Sequence, residues 1–500
     1  MSLKSFIIKQ VSGLIAGQIN SWKKTAVKDQ NRIRQTLISK AKNTAFGKDH
    51  HFDQITNYND FKKAVPLRDY EGLRTYIDRV TKGEADILWP GKPKYFAKTS
   101  GTTSGVKYIP ITHESMPNHI VSARNAMLNY FHQKGSASVF EGKVIFLSGS
   151  PELEEKGGIP TGRLSGIVNH EVPSWVRRNQ LPSYSTNCIE DWETKLEKIV
   201  DETIHEDMRL ISGIPPWVQM YYERLLARSG RKTVREVFPN YSLFMYGGVN
   251  FEPYRAKLEE LVGGRIDSIE TFPASEGFIA FQDDVNDSGL LLNTNSGIFF
   301  EFVPVESLNN PQPGRLMIDE VELNKDYALI INNNAGLWGY NIGDCVRFVS
   351  LDPYKLIVSG RVKHYISAFG EHVIGKEVEE ALLSVSKEHN VSIIEFTVAP
   401  QVNPQDGSVP FHEWFIEFDK APKDLAAFAL EVDKAMCDQN IYYDDLIKGH
   451  ILRPLVIRRM SKDAFREYMK IQGKLGGQNK VPRLSNDRKI ADQLLTWIDQ

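Results

Sequence analysis

The loop from Lys98 to Lys107 is the chain's clearest chemical feature, because it combines serine and threonine hydroxyls with two glycines and two lysines. Strand-like runs flank it at 94–97 and 108–112. Glycine lets the backbone approach a ligand, while hydroxyls, exposed N–H groups and ammonium groups can replace the water around a polyphosphate. The sequence therefore predicts a phosphate-gripping hairpin. Its predicted phosphate-binding residues are Thr99, Ser100, Gly101, Thr102, Thr103 and Lys107.

This loop is not a P-loop, since it returns to a strand and the chain contains neither G-x-x-x-x-G-K-[ST] nor G-x-G-x-x-G. An ordinary polar turn has the same composition. Other segments of the chain must decide between the two interpretations.

The segment from Thr271 to Gly277 supplies a carboxylate, Glu276, beside a hydroxyl, Ser275, after a strand-like run at 266–269. Such a pair can hold Mg²⁺ and touch a phosphate, since Mg²⁺ needs only one or two protein carboxylates beside substrate phosphates. Phe272 can stack on a purine, although a phenylalanine is more often part of the core. A solvated loop glutamate is the alternative for Glu276.

Two further segments contain residues suited to a nucleoside. Gly247, Gly248 and Val249 follow a buried strand, where adjacent glycines can bring the backbone against a flat ring. Asp344 follows a glycine four residues after Tyr340, and a carboxylate placed in this way can accept both ribose hydroxyls. Taken singly, the glycine segment is equally explained as a strand-to-helix turn, and a turn aspartate is the more frequent explanation for Asp344.

The C-terminal segment from Gly473 to Arg483 is glycine-rich and basic. From 458 to 489 there are ten Lys or Arg and three Asp or Glu, a local charge of 10 − 3 = +7. A mobile lid over a polyphosphate accounts for the glycines. A nucleic-acid patch is the alternative, but Phe465 and Tyr468 have core spacing and do not form a base-stacking array.

The elements that position these segments predict an α/β protein of two or three domains, because 500 residues exceed one typical core. The predicted large N-terminal domain covers 1–360, with helices to about residue 90 and a strand-rich, β-barrel-like subdomain at about 290–358. A hinge at 361–366 and a smaller, mobile α+β lid domain at 367–500 follow.

Composition excludes some classes of partner. With 61 basic and 63 acidic residues the net charge is −2, which gives no global attraction to nucleic acid or to anionic membranes. The three cysteines are far apart, which argues against a zinc site or a disulfide framework. The N-terminal residues predict an amphipathic helix that packs on its own domain. We expect a cytoplasmic protein without a membrane or nucleic-acid partner, and its oligomeric state is not indicated.

Taken in order, these segments resemble those of the adenylate-forming enzymes, and most closely the Gretchen Hagen 3 (GH3) acyl acid-amido synthetases, in particular their bacterial branch. The matching motifs are Thr99 to Gly105 with Lys107, Phe272 to Glu276, Tyr340 to Asp344, Gly360 to Ile366, and Gln478 to Arg483. The resemblance covers nearly the whole chain.

The resemblance implies an ATP and Mg²⁺ site. The hydroxyl-rich loop would hold the ATP phosphates, Glu276 would bind Mg²⁺, Ser275 would lie near the α-phosphate, and Asp344 would bind ribose. Lys480 would be delivered to the α-phosphate by the C-terminal domain. The other residues implied for ATP binding or the hinge are Gly247, Gly248, Val249, Phe272, Tyr340, Arg361 and Lys363. Phe272 replaces the family's usual tyrosine, and Asn341 a frequent arginine.

The implied activity is a two-step ligation of a small carboxylic acid to an amine, an amino acid being the expected acceptor. A thioester-forming acyl-CoA ligase and a nucleotide-binding protein without catalytic activity remain as alternatives. The acyl pocket is expected between about 110 and 250, where His113, Ser165 and His170 are candidates, although structural or surface roles suit them better.

Overall fold

Two structural units make up the chain in the computed structural model. Unit 1 contains Met1–Val249 and Leu261–Val358, and unit 2 contains Asn250–Glu260 and Ser359–Gln500. The residues that the structure describes are 3–100, 106–189, 191–248, 251–308, 310, 312–361, 365–366, 371, 373–402, 404–406, 408–448, 452–475, 480–485 and 487–499.

The N-terminal part of unit 1 is helical, as predicted. Its helices are α1 (Leu3–Trp22), α2 (Ala26–Ala41), α3 (Ala45–Asp49), α4 (Tyr58–Ala64) and α5 (Tyr70–Thr81). The Asp69 side chain accepts a hydrogen bond from Gly72 N at 3.2 Å and so caps α5, which makes Tyr70 its first residue.

The remaining helices of this region alternate with strands. They are α6 (Met116–Lys134), α7 (Leu164–Glu171), α8 (Ser174–Arg177), α9 (Tyr184–Asn187), α10 (Trp192–Thr203), α11 (Pro215–Ser229) and α12 (Val234–Val237). The next helix, α13 (Glu252–Val262), belongs to unit 2 except for its last two residues. α1 packs against α6 through Ile8, Ile15 and Ile19. None of the described helices combines the length and the apolar character needed to cross a bilayer.

The strands of this region form two sheets. They are β1 (Tyr95–Ser100), β2 (Val106–Ile111), β3 (Lys143–Phe146), β4 (Glu154–Lys156), β5 (Ile159–Gly162), β6 (Gln180–Leu181), β7 (Met208–Ser212), β8 (Leu243–Gly247), β9 (Asp267–Ala274), β10 (Gly277–Gln282), β11 (Leu290–Leu292), β12 (Ile298–Pro304), β13 (Asp326–Asn333), β14 (Tyr340–Leu351) and β15 (Tyr354–Arg361). The smaller sheet has the order β2-β1-β5-β4, and the 11-stranded sheet has the order β12-β13-β14-β15-β11-β10-β9-β8-β7-β3-β6.

The large sheet brings several strand ends to one edge. β6, β3, β7, β8 and β9 are parallel, so their carboxyl ends meet there, the usual position of a ligand site in such sheets. The predicted strand-rich region, β11 to β15, continues this sheet on its antiparallel side. Within the described residues these strands are not closed into a barrel of their own.

Unit 2 combines helices and strands, as the predicted α+β character requires. Its elements are β16 (Tyr365–Ile366), β17 (Val373–Ile374), α14 (Gly375–His389), β18 (Ser392–Gln401), β19 (Phe411–Lys420), α15 (Leu425–Gln439), α16 (Ile441–Lys448), β20 (Val456–Arg459), α17 (Ala464–Ile471) and α18 (Lys489–Leu494). The sheet β18-β19-β20 packs with α14 and α15 around a separate hydrophobic core.

Candidate functional site

The predicted phosphate hairpin is formed by β1 and β2, which pair antiparallel with Thr99 opposite Lys107. Directly opposed residues lie on the same face of a strand pair, so this hydroxyl and this ammonium group belong to one surface. The tip, with Gly101, Thr102 and Thr103, lies outside the described residues, and of Ser100 only the backbone is described.

The base of the hairpin contacts the start of α5. Tyr108 N donates to the Tyr70 hydroxyl at 3.0 Å, and Lys107 Nζ lies 5.7 Å from the centre of the Tyr70 ring. A cation over a tyrosine ring is attracted by its quadrupole. Tyr70 therefore holds both the backbone and the lysine side chain of this hairpin in place.

Glu276 lies in the tight turn between β9 and β10, where Ala274 pairs with Gly277. The Asn333 amide donates to Glu276 O at 2.7 Å, and Tyr340 Oη lies 3.5 Å from Glu276 Oε1. From the sequence, the whole segment from Thr271 to Gly277 was predicted to follow the strand. The structure corrects this, since β9 extends to Ala274 and only Ser275 and Glu276 form the turn.

Tyr340 links the hairpin region to Glu276. Burial, with the nearby Glu276 carboxylate and Tyr70, raises the pKa of the Tyr340 phenol well above its usual range. The phenol therefore stays protonated and can donate a hydrogen bond to a carboxylate. Its backbone is fixed by Arg68, whose N donates to Gly339 O at 2.8 Å and whose O accepts from Asn341 N at 2.7 Å. Arg68 precedes Tyr70 by two residues, so this short segment contacts both the hairpin, through Tyr70, and the backbone around Tyr340, through Arg68.

Asn333 is a positioning residue that the sequence analysis missed. The stretch Asn332–Asn334 resembles a turn, but Asn332 and Asn333 are buried at the end of β13. Asn333 Oδ1 accepts from Ala335 N and Leu337 N, both at 3.0 Å, while its Nδ2 holds Glu276. The same side chain therefore shapes the loop that leads to Tyr340 and orients the Glu276 turn.

The predicted adenine-side residues have clear packing roles. A Cβ on Gly247 would lie 2.4 Å from Thr271 O, so the β8–β9 pairing itself requires glycine there. Gly248 has a φ of +79°, in the left-handed region that favours glycine. Phe272 is only 8% exposed and belongs to the unit 1 core. Val249 lies outside the described residues.

Asp344 lies on β14, four residues beyond Tyr340, with 5% of its surface exposed. Gly343 before it has a φ of +86°, and its N donates to Asn341 Oδ1 at 2.9 Å. This turn-like hydrogen bond inside a strand gives the backbone at Asp344 a defined local shape.

The other residues predicted for ATP binding or the hinge belong to unit 2. Arg361 is the last residue of β15, and only its backbone is described, while Lys480 is exposed. Lys363 lies outside the described residues. Among the acyl-pocket candidates, His113 is exposed, His170 Nε2 lies 2.7 Å from Pro151 O, and Ser165 Oγ is buried without a hydrogen-bond partner among the described residues.

Models of three GH3 family domains match successive parts of the chain. Residues 15–181 and 162–266 match the GH3 family N-terminal domain, residues 291–361 its central domain, and residues 376–489 its C-terminal domain. Jasmonoyl–L-amino acid synthetase JAR4 of Nicotiana attenuata is 22% identical over 535 residues, covering 92% of this chain and 91% of its own. Indole-3-acetic acid-amido synthetase GH3.15 of Arabidopsis thaliana is 34% identical over 195 residues, covering 37% of this chain and 32% of its own.

Solved structures share the fold. An AtGH3.15 acyl acid amido synthetase in complex with 2,4-DB superposes with a TM-score of 0.81 at 16% identity, covering 98% of this chain and 96% of its own. A 2-hydroxyisobutyryl-CoA ligase in the postadenylation state gives 0.57 at 13% identity, covering 94% and 91%. The fold is the mixed α/β adenylate-forming fold, with a large N-terminal and a smaller C-terminal part. Since the match to the N-terminal domain alone spans half of the sequence, the chain belongs to the GH3 family.

Proposed function

We propose that the chain is an ATP-dependent acyl acid amido synthetase. In the first step an acid carboxylate attacks the α-phosphorus of ATP, which gives acyl-AMP and pyrophosphate. In the second step an amine, expected to be that of an amino acid, attacks the acyl carbon and displaces AMP. The observation that carries this proposal is the Glu276 carboxylate beside Tyr340. The backbone around Tyr340 is hydrogen-bonded to Arg68, two residues before the Tyr70 that holds the hydroxyl-rich hairpin.

Each predicted site residue receives a proposed role in binding ATP. The hairpin residues and Lys107 would surround the phosphates, the 247–249 segment and Phe272 the adenine, and Asp344 the ribose. Tyr340 and Arg361 complete the proposed nucleotide contacts, and Lys480 would approach the α-phosphate. There is little covalent work for the protein in such a reaction, so positioning and charge stabilisation carry the catalysis.

The residues present suit a magnesium ion held together with ATP. Mg²⁺ usually takes one or two protein carboxylates together with substrate phosphates. Glu276 is a single carboxylate whose backbone is held by Asn333, and no group of three or more His, Cys, Asp or Glu able to hold a metal occurs in the described part of the chain. Glu276 would hold the ion, which would neutralise phosphate charge when bound.

We also propose the roles of the domains, the branch of the family and the cellular location. Residues 1–360 would act as the adenylate-forming domain, 361–366 as the hinge and 367–500 as the lid. The chain would belong to the bacterial branch of the family, which its low identity to the plant relatives favours. It would act in the cytoplasm on small molecules, without nucleic-acid or membrane partners.

Pyrophosphate exchange into ATP, measured with a panel of carboxylic acids, tests the first step, and mass spectrometry of products with mixed amino acids tests the second. We expect Glu276→Gln to slow acid-dependent exchange by roughly two to three orders of magnitude, the cost of losing one preorganised charge-stabilising group. Glu155→Gln, at an exposed site on β4, is the control and should retain exchange. Unchanged pyrophosphate exchange in the Glu276→Gln variant would show that Glu276 does not hold the metal ion.

The acceptor separates this function from that of an acyl-CoA ligase. Amino acids and hydroxylamine should discharge the acyl adenylate, whereas CoA should not. A protein without catalytic activity would show no acid-dependent exchange with any acid. Nucleic-acid binding through the C-terminal basic segment is disfavoured, since Arg458 and Arg488 already pair with Glu413 at 2.7 and 2.8 Å, and Arg459 pairs with Asp499 at 3.0 Å.

A further inference from the structure

A buried lysine in unit 1 lacks a carboxylate partner among the described residues. Lys195, on α10, is 3% exposed and donates to Ser148 O at 2.9 Å and Asn187 O at 2.7 Å. Burial, reinforced by the nearby Arg163 guanidinium, lowers the pKa of this ammonium group to about 8. Since an ammonium group has three donors, one remains for a further acceptor.

A second cation lies beside it. Arg163 follows β5, and its stem packs over Gly149, where a Cβ would lie 2.7 Å from Arg163 Cδ. Because Gly149 follows Ser148, the guanidinium and the Lys195 ammonium group approach the same two-residue segment. Burial lowers the pKa of Arg163, and its guanidinium makes no hydrogen bond or ion pair with the described residues.

Two neutral polar residues near these cations, one bonded to Lys195 through its backbone and one close to Arg163 in sequence, have side-chain hydrogen bonds that are unmet within the described chain. Asn187 is 1% exposed, yet both its Nδ2 and its Oδ1 lack partners, although its backbone oxygen binds Lys195. Ser165 Oγ, two residues after Arg163, is also buried without a hydrogen-bond partner among the described residues. Buried polar atoms are nearly always hydrogen-bonded, so several unmet atoms in one place need an explanation.

Two other buried cations, Arg315 and Lys355, have carboxylate partners. Arg315 pairs with Glu301 at 2.6 Å, and Lys355 pairs with Asp283 at 2.8 Å and with Asp287 at 2.6 Å. A buried charge without a partner is costly, and proteins normally supply a counter-ion. A carboxylate close to this cluster, Glu152, is exposed and lies 3.5 Å from Ser150 Oγ without an ion pair to either described cation.

The cluster lies at the strand ends where substrates are expected. Ser148 and Gly149 follow the carboxyl end of β3, on the edge shared with β8 and β9. Gly162 pairs with Ala97 of β1, so Arg163 runs alongside the start of the phosphate hairpin. The backbone of Arg163 therefore lies next to the strand that leads into the proposed phosphate-binding hairpin.

We propose that Lys195, Arg163 and Asn187 form a subsite for a substrate carboxylate other than the one that is adenylated. This rests on the proposed function and deepens it. The carboxylate has two possible sources with the same chemistry, the α-carboxylate of an amino acid acceptor or a second carboxylate on the acid. A bound carboxylate would accept from the ammonium, guanidinium and carboxamide groups together and would compensate both cations.

Paired substrates that differ by one carboxylate test the subsite. In the amine arm L-phenylalanine is compared with phenethylamine as acceptor, and in the acid arm succinate is compared with propionate in pyrophosphate exchange. We expect Arg163→Gln and Lys195→Met to lower kcat/KM for the carboxylate-bearing member roughly 10- to 100-fold more than for its partner, the range for a hydrogen bond to a charged group. The arm that shows this difference identifies the source.

Lys198→Met is the matched control, because Lys198 lies on the same helix but is exposed. It should retain the preference of the unsubstituted protein in both arms. Equal losses for both members of each pair in the Arg163 and Lys195 variants would overturn the subsite, as would the absence of any preference in the unsubstituted protein.

A binding measurement separates this proposal from the ligase assignment. The thermal midpoint of the full chain is measured with succinate, propionate, L-phenylalanine and phenethylamine. If no acid supports exchange but a carboxylate raises the midpoint, and Arg163→Gln removes this effect, the subsite stands and the ligase function falls. If neither exchange nor such a midpoint shift occurs, both are wrong.

Discussion

Tyr340 and Asn333 illustrate how single side chains position Glu276. Asn333 holds the glutamate backbone, while the Tyr340 phenol lies 3.5 Å from the carboxylate and keeps its proton because burial raises its pKa. Neutral groups therefore contribute to the orientation of Glu276 from both its backbone and its side chain. A carboxylate positioned in this way is suited to a metal bound with a substrate phosphate.

Because His119 is buried, we expect the folded protein to lose stability in mild acid. His119 lies on α6, and burial lowers its pKa to about 4. Below its ordinary value of about 6.5 the unfolded chain takes up a proton that the folded chain refuses, so stability falls as the pH drops from about 6.5 to about 4. The expected loss is about 3 kcal/mol. Urea unfolding at a series of pH values measures it.

His119→Gln should flatten this acid-side slope, because glutamine does not titrate. His113→Gln is the matched control, since His113 is exposed just before the same helix, and it should keep the slope. An unchanged slope in the His119 variant would show that other groups cause the acid sensitivity.

At the scale of elements, the β8–β9 pairing depends on Gly247. A Cβ there would lie 2.4 Å from Thr271 O and 2.9 Å from Thr271 Oγ1, which itself donates to Tyr246 O at 2.9 Å. We expect Gly247→Ala to destabilise the protein by about 1–3 kcal/mol through forced backbone shifts, measured by urea unfolding. It should also weaken ATP binding, because β9 carries the Glu276 turn.

Gly17→Ala provides the opposite case. Gly17 lies exposed in α1, and a Cβ added there would have nothing within 4 Å, so alanine should stabilise by about 0.5–1 kcal/mol. Equal effects of the two substitutions would contradict the steric argument for Gly247.

The sequence was sufficient for elements with a clear period and insufficient for contacts between distant segments. Helices up to about residue 90 and strands from about 290 to 358 were predicted, and the structure has both. The positioning role of Asn332 and Asn333 could not be predicted, because their side chains accept hydrogen bonds from the backbone of the loop that follows β13. Tyr70 was missed because its contacts with Lys107 and Tyr108 join residues far apart in the chain.

At the scale of the whole molecule, Lys480 belongs to unit 2. Within unit 2, Lys480 precedes a segment fixed to β18. Thr397 Oγ1 donates to Pro482 O at 2.6 Å, Val398 N donates to Arg483 O at 2.9 Å, and Ser485 N donates to Val398 O at 3.0 Å. Lys480 itself is exposed. The backbone that follows Lys480 is held by these hydrogen bonds, so the exposed lysine side chain can contact a ligand from a fixed position.

Lys480 should therefore serve the two reaction steps unequally. If its ammonium group stabilises charge at the α-phosphate, Lys480→Ala should slow adenylation by roughly two to three orders of magnitude, the cost of one preorganised donor. Amide formation from preformed acyl-AMP should slow much less, because that step breaks the bond to AMP after pyrophosphate has gone. Pyrophosphate exchange and single-turnover aminolysis measure the two steps separately. Lys474→Ala, exposed in the same basic segment, should affect neither. Equal losses in both steps would assign Lys480 to a role common to them, such as holding the nucleotide, and would remove the α-phosphate assignment.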